Sequence, residues 1–92
     1  GSYRYATKQS LDSKVNGKLL NVLREAVVGV VTAENLIVVK TIGDSAFPVS
    51  SALEQCAFSE VVGVLADRST VLLVCTSARD AETVSQKIQD LL

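Results

Sequence analysis

The sequence of 92 residues contains no histidine, tryptophan or methionine, and only 4% of its residues are aromatic. Histidine is the most common general base and metal ligand near neutral pH, so its absence argues against most acid–base and zinc enzymes. Cys56 and Cys75 lack the spacing of a zinc-ligand pair. The sequence also lacks a glycine-rich phosphate loop and a nucleophile elbow. We therefore expect no catalytic residue, no metal and no cofactor, and a protein that is not an enzyme.

The sequence also has no large excess of positive or negative charge, because it contains 9 lysines and arginines and 10 acidic residues. Nucleic-acid binders usually carry a basic face, and the few aromatic residues leave no stacking platform for bases. Direct DNA binding by this chain is therefore not expected. No apolar run approaches the ~20 residues of a membrane span, and the first residues do not resemble a signal peptide. We expect no membrane partner, a cytoplasmic location and buried, reduced cysteines, with a disulfide as the alternative.

What the chain does have is apolar character, with 48% hydrophobic residues and a mean hydropathy of +0.32. This composition and length predict one folded domain. Residues 1–10 are predicted to form a linker, and residues 11–92 are predicted to form the domain. Within residues 11–25 the apolar side chains recur at helical spacing and predict a first, short helix. They are Val15, Leu19, Val22 and Leu23.

Four apolar, β-branched runs predict strands at residues 27–31, 36–41, 61–66 and 70–75. The connections at residues 33–35 and 67–69 are too short for parallel crossovers, so each pair of strands is expected to form an antiparallel hairpin.

Two helices complete the predicted order of elements. Gly43 ends the second strand, Ser45 is placed to cap the next helix, and Pro48 falls in its first turn. The last helix covers residues 78–92. The predicted fold class is α+β: a ββαββα two-layer sandwich with a four-stranded antiparallel sheet, helices on one face and a short helix before it. The two ββα units show no convincing sequence identity. The inward faces of the two helices are predicted to carry Val49, Leu53 and Cys56, and Ala81, Val84, Ile88 and Leu91.

The strands do not alternate apolar and polar residues, although a sheet covered on one side should. Both faces of the sheet therefore require burial, and the helices cover one of them. We expect a second copy of the chain to cover the open face in an obligate oligomer. The alternative is that the helices and residues 1–25 cover everything.

Three segments resemble the arginine repressor family. Tyr3-Arg4-Tyr5-Ala6 resembles the exit from that family's winged-helix DNA-binding domain. Residues 36–41 resemble its Leu-Ile-Val-Leu-Lys-Thr strand. Residues 63–70 stand at the place of its Gly-Thr-Ile-Ala-Gly-Asp-Asp-Thr turn, without an insertion from Leu36 onward.

The resemblance implies the C-terminal domain of a transcription repressor of arginine biosynthesis and metabolism. Such domains form trimers that stack as a dimer of trimers, a hexamer, with L-arginine as co-repressor bound at the trimer–trimer interface. Operator DNA is contacted only through an N-terminal domain, which this chain lacks.

The resemblance also implies an effector site, and here the sequence departs from the family. The family's glutamine at the start of the middle helix corresponds to Phe47, its helix acid to Glu54, and its paired aspartates to Arg68 and Ser69. An arginine facing the ligand's guanidinium replaces attraction by repulsion, a change on the order of several kcal/mol at ~4 Å and an effective dielectric near 20. We therefore expect an altered arginine site. Its residues are Phe47, Glu54, Ala66, Asp67, Arg68, Ser69 and Thr70.

Several interpretations of this departure remain open. Arg68 either occupies the place of the ligand's guanidinium, paired with Glu54 or Asp67 of a neighbouring subunit, or points to solvent. Asp67 could also replace the missing aspartates. The alternative functions are an arginine-independent structural oligomerisation module and a partner of an arginine-binding paralogue.

Overall fold

The computed structural model describes residues 17–92. A helix covers residues 17–26 of the described part (α1). It is followed by β1 (Val27–Ala33), β2 (Leu36–Thr41), α2 (Ala46–Gln55), β3 (Val61–Ala66), β4 (Thr70–Cys75) and α3 (Ala78–Leu91). The predicted ββαββα order, preceded by a helix, is confirmed. The predicted linker at residues 1–10, the Tyr3–Ala6 motif and Val15 lie outside the described residues.

The four strands form one antiparallel sheet in the order β1-β2-β4-β3. β1 is longer than predicted, because Ala33 still pairs with Leu36 and belongs to the strand rather than to the turn. Glu34, with φ at 56°, supplies the left-handed residue that so tight a hairpin needs. The helix α2 carries the chain to the far edge of the sheet, and β4 returns to the centre beside β2.

One face of the sheet packs against all three helices. Alternate residues of β2 and β4 point toward the helices and are buried, as the period of two in a strand requires. The helices bury residues three or four positions apart, as the sequence predicts. This common core includes Leu19 and Leu23 of α1, Val49 and Leu53 of α2, Val84 and Ile88 of α3, and Ile37, Val39, Val71 and Leu73 of the sheet.

Details of the predicted packing differ. Ser45 stands at the N-cap position of α2, but its side chain makes no hydrogen bond to the helix, so the predicted cap is wrong. Ser77 caps α3 instead, where its hydroxyl accepts from the amide of Asp80 at 3.0 Å. Cys75 is buried, as expected, and forms no disulfide with any residue of the described part. Burial raises its pKa, and the nearby carboxylates of Asp80 and Glu60 raise it further.

Both edge strands carry an irregularity at the same place. The register shifts between Val27 and Gly29 in β1 and between Val61 and Gly63 in β3. Each strand begins Val-Val-Gly-Val, so the two ββα units do share a short motif that the sequence analysis missed. Bulges at sheet edges hinder pairing between the edges of two molecules. The face of the sheet, rather than its edges, is therefore the surface suited to contact.

Candidate assembly face and effector site

The side of the sheet away from the helices, here called the open face, is ordered in three rows that run across the strands. The central row consists of large apolar residues, each directly opposite its neighbour on the next strand. Its members are Val31, Val38, Leu72 and Leu65. A second row pairs two large and two small residues. Its members are Ala33, Leu36, Val74 and Gly63.

The central row is exposed at both ends, with Val31 at 58% and Leu65 at 65% of full exposure. The bulge residues Val28 and Val62, near the starts of the two edge strands, are each 64% exposed. Four strands of about six residues span roughly 19 by 20 Å, or about 380 Å². The central and second rows form the apolar part of this area, and the largest apolar patch of a single chain is often functional.

A third row is polar and borders the central row at the end of the sheet near the β3–β4 turn. Gly29 is paired with Lys40, and Lys40 with Thr70. The amide of Asp67 donates to the carbonyl oxygen of Thr70 at 2.8 Å and extends the row by one residue. Strand alternation after the helix-facing Ala66 places the Asp67 side chain on the open face. This row, which we call the polar row, therefore consists of Gly29, Lys40, Thr70 and Asp67.

Lys40 and Asp67 both have a polar contact within the chain, but not with each other. The Nζ atom of Lys40 donates to the hydroxyl of Thr70 at 3.4 Å. The Oδ1 atom of Asp67 accepts the amide hydrogen of Arg68 at 2.8 Å. Within residues 17–92 neither side chain has an ion-pair partner, since the one ion pair in this part of the chain joins Lys87 to Glu60.

The turn with the sequence-predicted effector residues packs against the start of α2. The carbonyl oxygen of Arg68 accepts from the amide of Ala46 at 3.1 Å, and that of Ser69 accepts from the amide of Thr41 at 2.8 Å. The turn and Phe47 are thereby brought together, and Phe47 is 67% exposed. The guanidinium of Arg68 is exposed and makes no hydrogen bond to any residue of the described part.

Glu54 is not brought to this turn within one chain. It follows Phe47 by two helical turns, about 10 Å along α2. It lines an open groove with Leu53, Phe58 and Val61, near the start of β3, whereas the turn follows the end of β3. Ala66 is half-buried on the helix side of the sheet. A site that uses both Glu54 and Arg68 therefore requires a residue from a second chain.

A separate polar cluster was not predicted from the sequence. Lys87 of α3 pairs with Glu60 at 3.2 Å and stands 6.0 Å from the centre of the Phe58 ring. The backbone amide of Glu60, and then Lys87, lower the pKa of this carboxyl group. The other carboxylate oxygen is buried without a partner among the described residues. A contact between residues 27 positions apart leaves no local pattern in the sequence. The pair joins α3 to the start of β3, which suits a structural role.

The described part of the chain contains no cluster of three or more potential metal ligands. No helix within residues 17–92 is both long and apolar enough to cross a membrane.

Residues 23–90 match the family model of the arginine repressor C-terminal domain. The α+β domain described above therefore belongs to that family, and the resemblance seen in the sequence is confirmed.

Curated relatives match along essentially the whole chain. An arginine repressor of Acetivibrio thermocellus is 35% identical over 91 residues, which cover 99% of this chain and 60% of the relative. Arginine repressors of Clostridium kluyveri and Caldicellulosiruptor bescii are 29% and 28% identical over 92 residues, which cover 61% and 60% of those proteins. The chain thus spans about three fifths of the length of these relatives, which are named as repressors and not as enzymes.

Proposed function

We propose that this chain is the oligomerisation and effector-sensing domain of a transcription repressor of the arginine-repressor type, acting in arginine metabolism. The observation that carries the proposal is the apolar open face, which nothing within residues 17–92 covers. Operator DNA is contacted through a further domain, since this chain has a net charge of −1 and no basic face is predicted from its sequence.

A second copy of the chain is the occupant that fits the open face best. The central row is apolar across all four strands, so its burial lowers the free energy by about 25 cal/mol per Å². The polar row contains one cation and one anion, which makes the face complementary to itself in charge. The bulged edges direct contact to the face. The predicted assembly is a trimer, and two trimers form the hexamer.

Sedimentation velocity of the 92-residue chain tests this assembly. Leu65→Glu places a charge on a residue that is already exposed in the single chain, so the fold should persist while the assembly dissociates. Thr83→Glu, on the exposed side of α3, is the matched control and should sediment like the parent. A monomeric parent at ~100 µM, or a Leu65→Glu variant that assembles like the parent, overturns the proposal, because the subunits of an obligate oligomer are not stable apart at such a concentration.

The effector site is altered at Arg68 and Ser69, which replace a pair of aspartates in the family pattern. A guanidinium ligand requires carboxylates in a planar fork, and the turn presents a guanidinium of its own. We propose that L-arginine binds weakly or not at all, and that Arg68 takes the ligand's place against Glu54 or Asp67 of a neighbouring subunit. The exposed, unpaired Arg68 side chain supports this proposal.

Calorimetry with L-arginine separates the altered site from an ordinary one. The parent should give no heat at micromolar ligand, whereas Arg68→Asp combined with Ser69→Asp should bind. The turn tolerates this change because its contacts to Thr41 and Ala46 come from the backbone. Micromolar binding by the parent contradicts the altered site.

The role of Arg68 is tested separately by Arg68→Ala. If Arg68 replaces the ligand, this variant should sediment as a smaller species than the parent. An unchanged oligomer favours the second candidate function, an arginine-independent structural module or the partner of an arginine-binding paralogue, which the exposed position of Arg68 on a turn also fits.

A further inference from the structure

The polar row places a cation and an anion on either side of one hydroxyl group, at the border of an apolar surface. Lys40 lies on β2 and Asp67 follows β3, with Thr70 of β4 between them. Neighbouring strands are about 4.8 Å apart, so the two residues stand roughly 10 Å from each other along the row. Each lacks an ion-pair partner within residues 17–92.

We propose that Lys40 of one copy pairs with Asp67 of the next copy and thereby sets the register of the oligomer. The proposal rests on the proposed function, because it requires that open faces meet. With Asp67 paired to Lys40, Glu54 is the carboxylate left for Arg68. Apolar surfaces alone fix register poorly, since many offsets bury similar areas. An ion pair across the interface fixes the register better. At any other offset between the two copies, the charged side chain would be desolvated without a partner, which costs free energy.

The position of the two charges suits a closed ring. In a ring each copy uses one patch toward one neighbour and a different patch toward the other. Lys40 and Asp67 lie on opposite sides of Thr70, so they are placed to reach different neighbours. The same arrangement supplies one ion pair for every contact around the ring.

The shape of the row leaves room for the approach. Gly29 stands opposite Lys40, and a Cβ atom there would meet the Cβ atom of Lys40 at 3.9 Å. With glycine at this position, the side of Lys40 toward β1 stays open. The ammonium group of Lys40 donates one long hydrogen bond of 3.4 Å to the hydroxyl of Thr70. A carboxylate from another copy can replace this hydroxyl as the acceptor.

A charge-swap cycle on the 92-residue chain tests the pair by sedimentation at several protein concentrations. Lys40→Glu and Asp67→Lys, each alone, should raise the dissociation constant at least about tenfold, the low end for close charge pairs across an interface. The double variant should return to within about threefold of the parent. Arg79→Glu, an exposed change of the same charge on α3, is the control and should leave the constant unchanged.

Asp67→Lys also removes the acceptor for the Arg68 amide, so circular dichroism is recorded for every variant. If it fails to fold, the cycle is repeated with Lys40→Gln and Asp67→Asn, which keeps an acceptor oxygen. The neutral double variant should then lose no more affinity than either single one, and its affinity should depend less on salt.

Each outcome bears on one proposal or on both. A double variant as weak as the sum of its single variants overturns the ion pair. If Leu65→Glu dissociates the oligomer while the Lys40 variants assemble normally, only the ion pair fails. If Leu65→Glu has no effect, the open-face assembly fails and the ion pair with it.

Discussion

The amide of Ala46 donates a hydrogen bond of 3.1 Å to the carbonyl oxygen of Arg68. This bond joins the first residue of α2 to the β3–β4 turn, 22 positions away in the sequence. The first amides of a helix have no partner within it, and the side chain of Ser45 supplies none here. The turn therefore performs part of the capping of α2, and the position of Arg68 is held by its backbone, whichever side chain it carries.

The two helix caps should respond differently to the same substitution. Ser77→Ala removes the acceptor for the Asp80 amide and should lower the free energy of unfolding by about 1 kcal/mol. Ser45→Ala removes no such bond and should change it by less than about 0.5 kcal/mol. Urea denaturation measures both. Equal losses in the two variants would contradict the assignment of the caps.

Leu72 and Leu73 are adjacent in β4 but face opposite sides of the sheet. Leu73 is fully buried among the helices, so Leu73→Ala should lower the free energy of unfolding by about 2–5 kcal/mol through the cavity it leaves. Leu72 belongs to the central row, so Leu72→Ala should mainly raise the dissociation constant of the oligomer. Denaturation at low and high protein concentration separates the two effects. A Leu72→Ala loss that is independent of concentration would contradict its place in an interface.

Gly63 occupies a corner of the open face where the single chain does not require glycine. A Cβ atom there would meet nothing within 4 Å. Gly63→Val should therefore keep or raise the stability of the single chain, by up to about 1 kcal/mol, because valine favours strands. It should weaken the oligomer, since the side chain projects toward the neighbouring copy.

Sedimentation and thermal denaturation of Gly63→Val are compared with those of Gly63→Ala, which adds less volume and should have the smaller effect. Unchanged assembly of both variants would mean that no neighbour packs closely against this corner.

The lowered pKa of Glu60 leads us to expect a contribution to the stability of the fold that depends on pH. Its pKa is lowered in the folded state by its own backbone amide and by Lys87. A lowered pKa stabilises the fold above the unfolded value of about 4.3, and this contribution is lost as the pH falls through the folded value. Urea midpoints between about pH 6 and 3 should therefore fall less steeply for Glu60→Gln than for the parent. Equal slopes would contradict the ion pair with Lys87.

Much of the fold was predictable because its signals are local. Runs of β-branched residues gave the strands, and apolar residues three or four positions apart gave the inward faces of α2 and α3. The absence of alternation in the strands also predicted that the side of the sheet away from the helices is apolar. The cap at Ser45 was predicted wrongly, since a serine before a helix is a sufficient local pattern, and the contact that replaces it comes from Arg68.

The candidate site was predictable only in part. The family pattern identified the turn at residues 67–69 and Phe47, which the structure brings together through Ala46. It grouped Glu54 with them, although Glu54 lies about two helical turns away in the same chain. Lys40 was not singled out at all, because a lysine near the end of a strand resembles any solvated charge.

The runs of β-branched residues and the apolar residues at helical spacing by themselves determined the class of fold. Each of these is a property of composition or of residues close together in the chain. Only the tertiary structure decided which residues share a row on the open face. Rows depend on register, and register is set by hydrogen bonds between strands about 30 residues apart, such as Lys40 and Thr70. A shift of one residue in β2 would point Lys40 at the helices and leave the polar row without its cation.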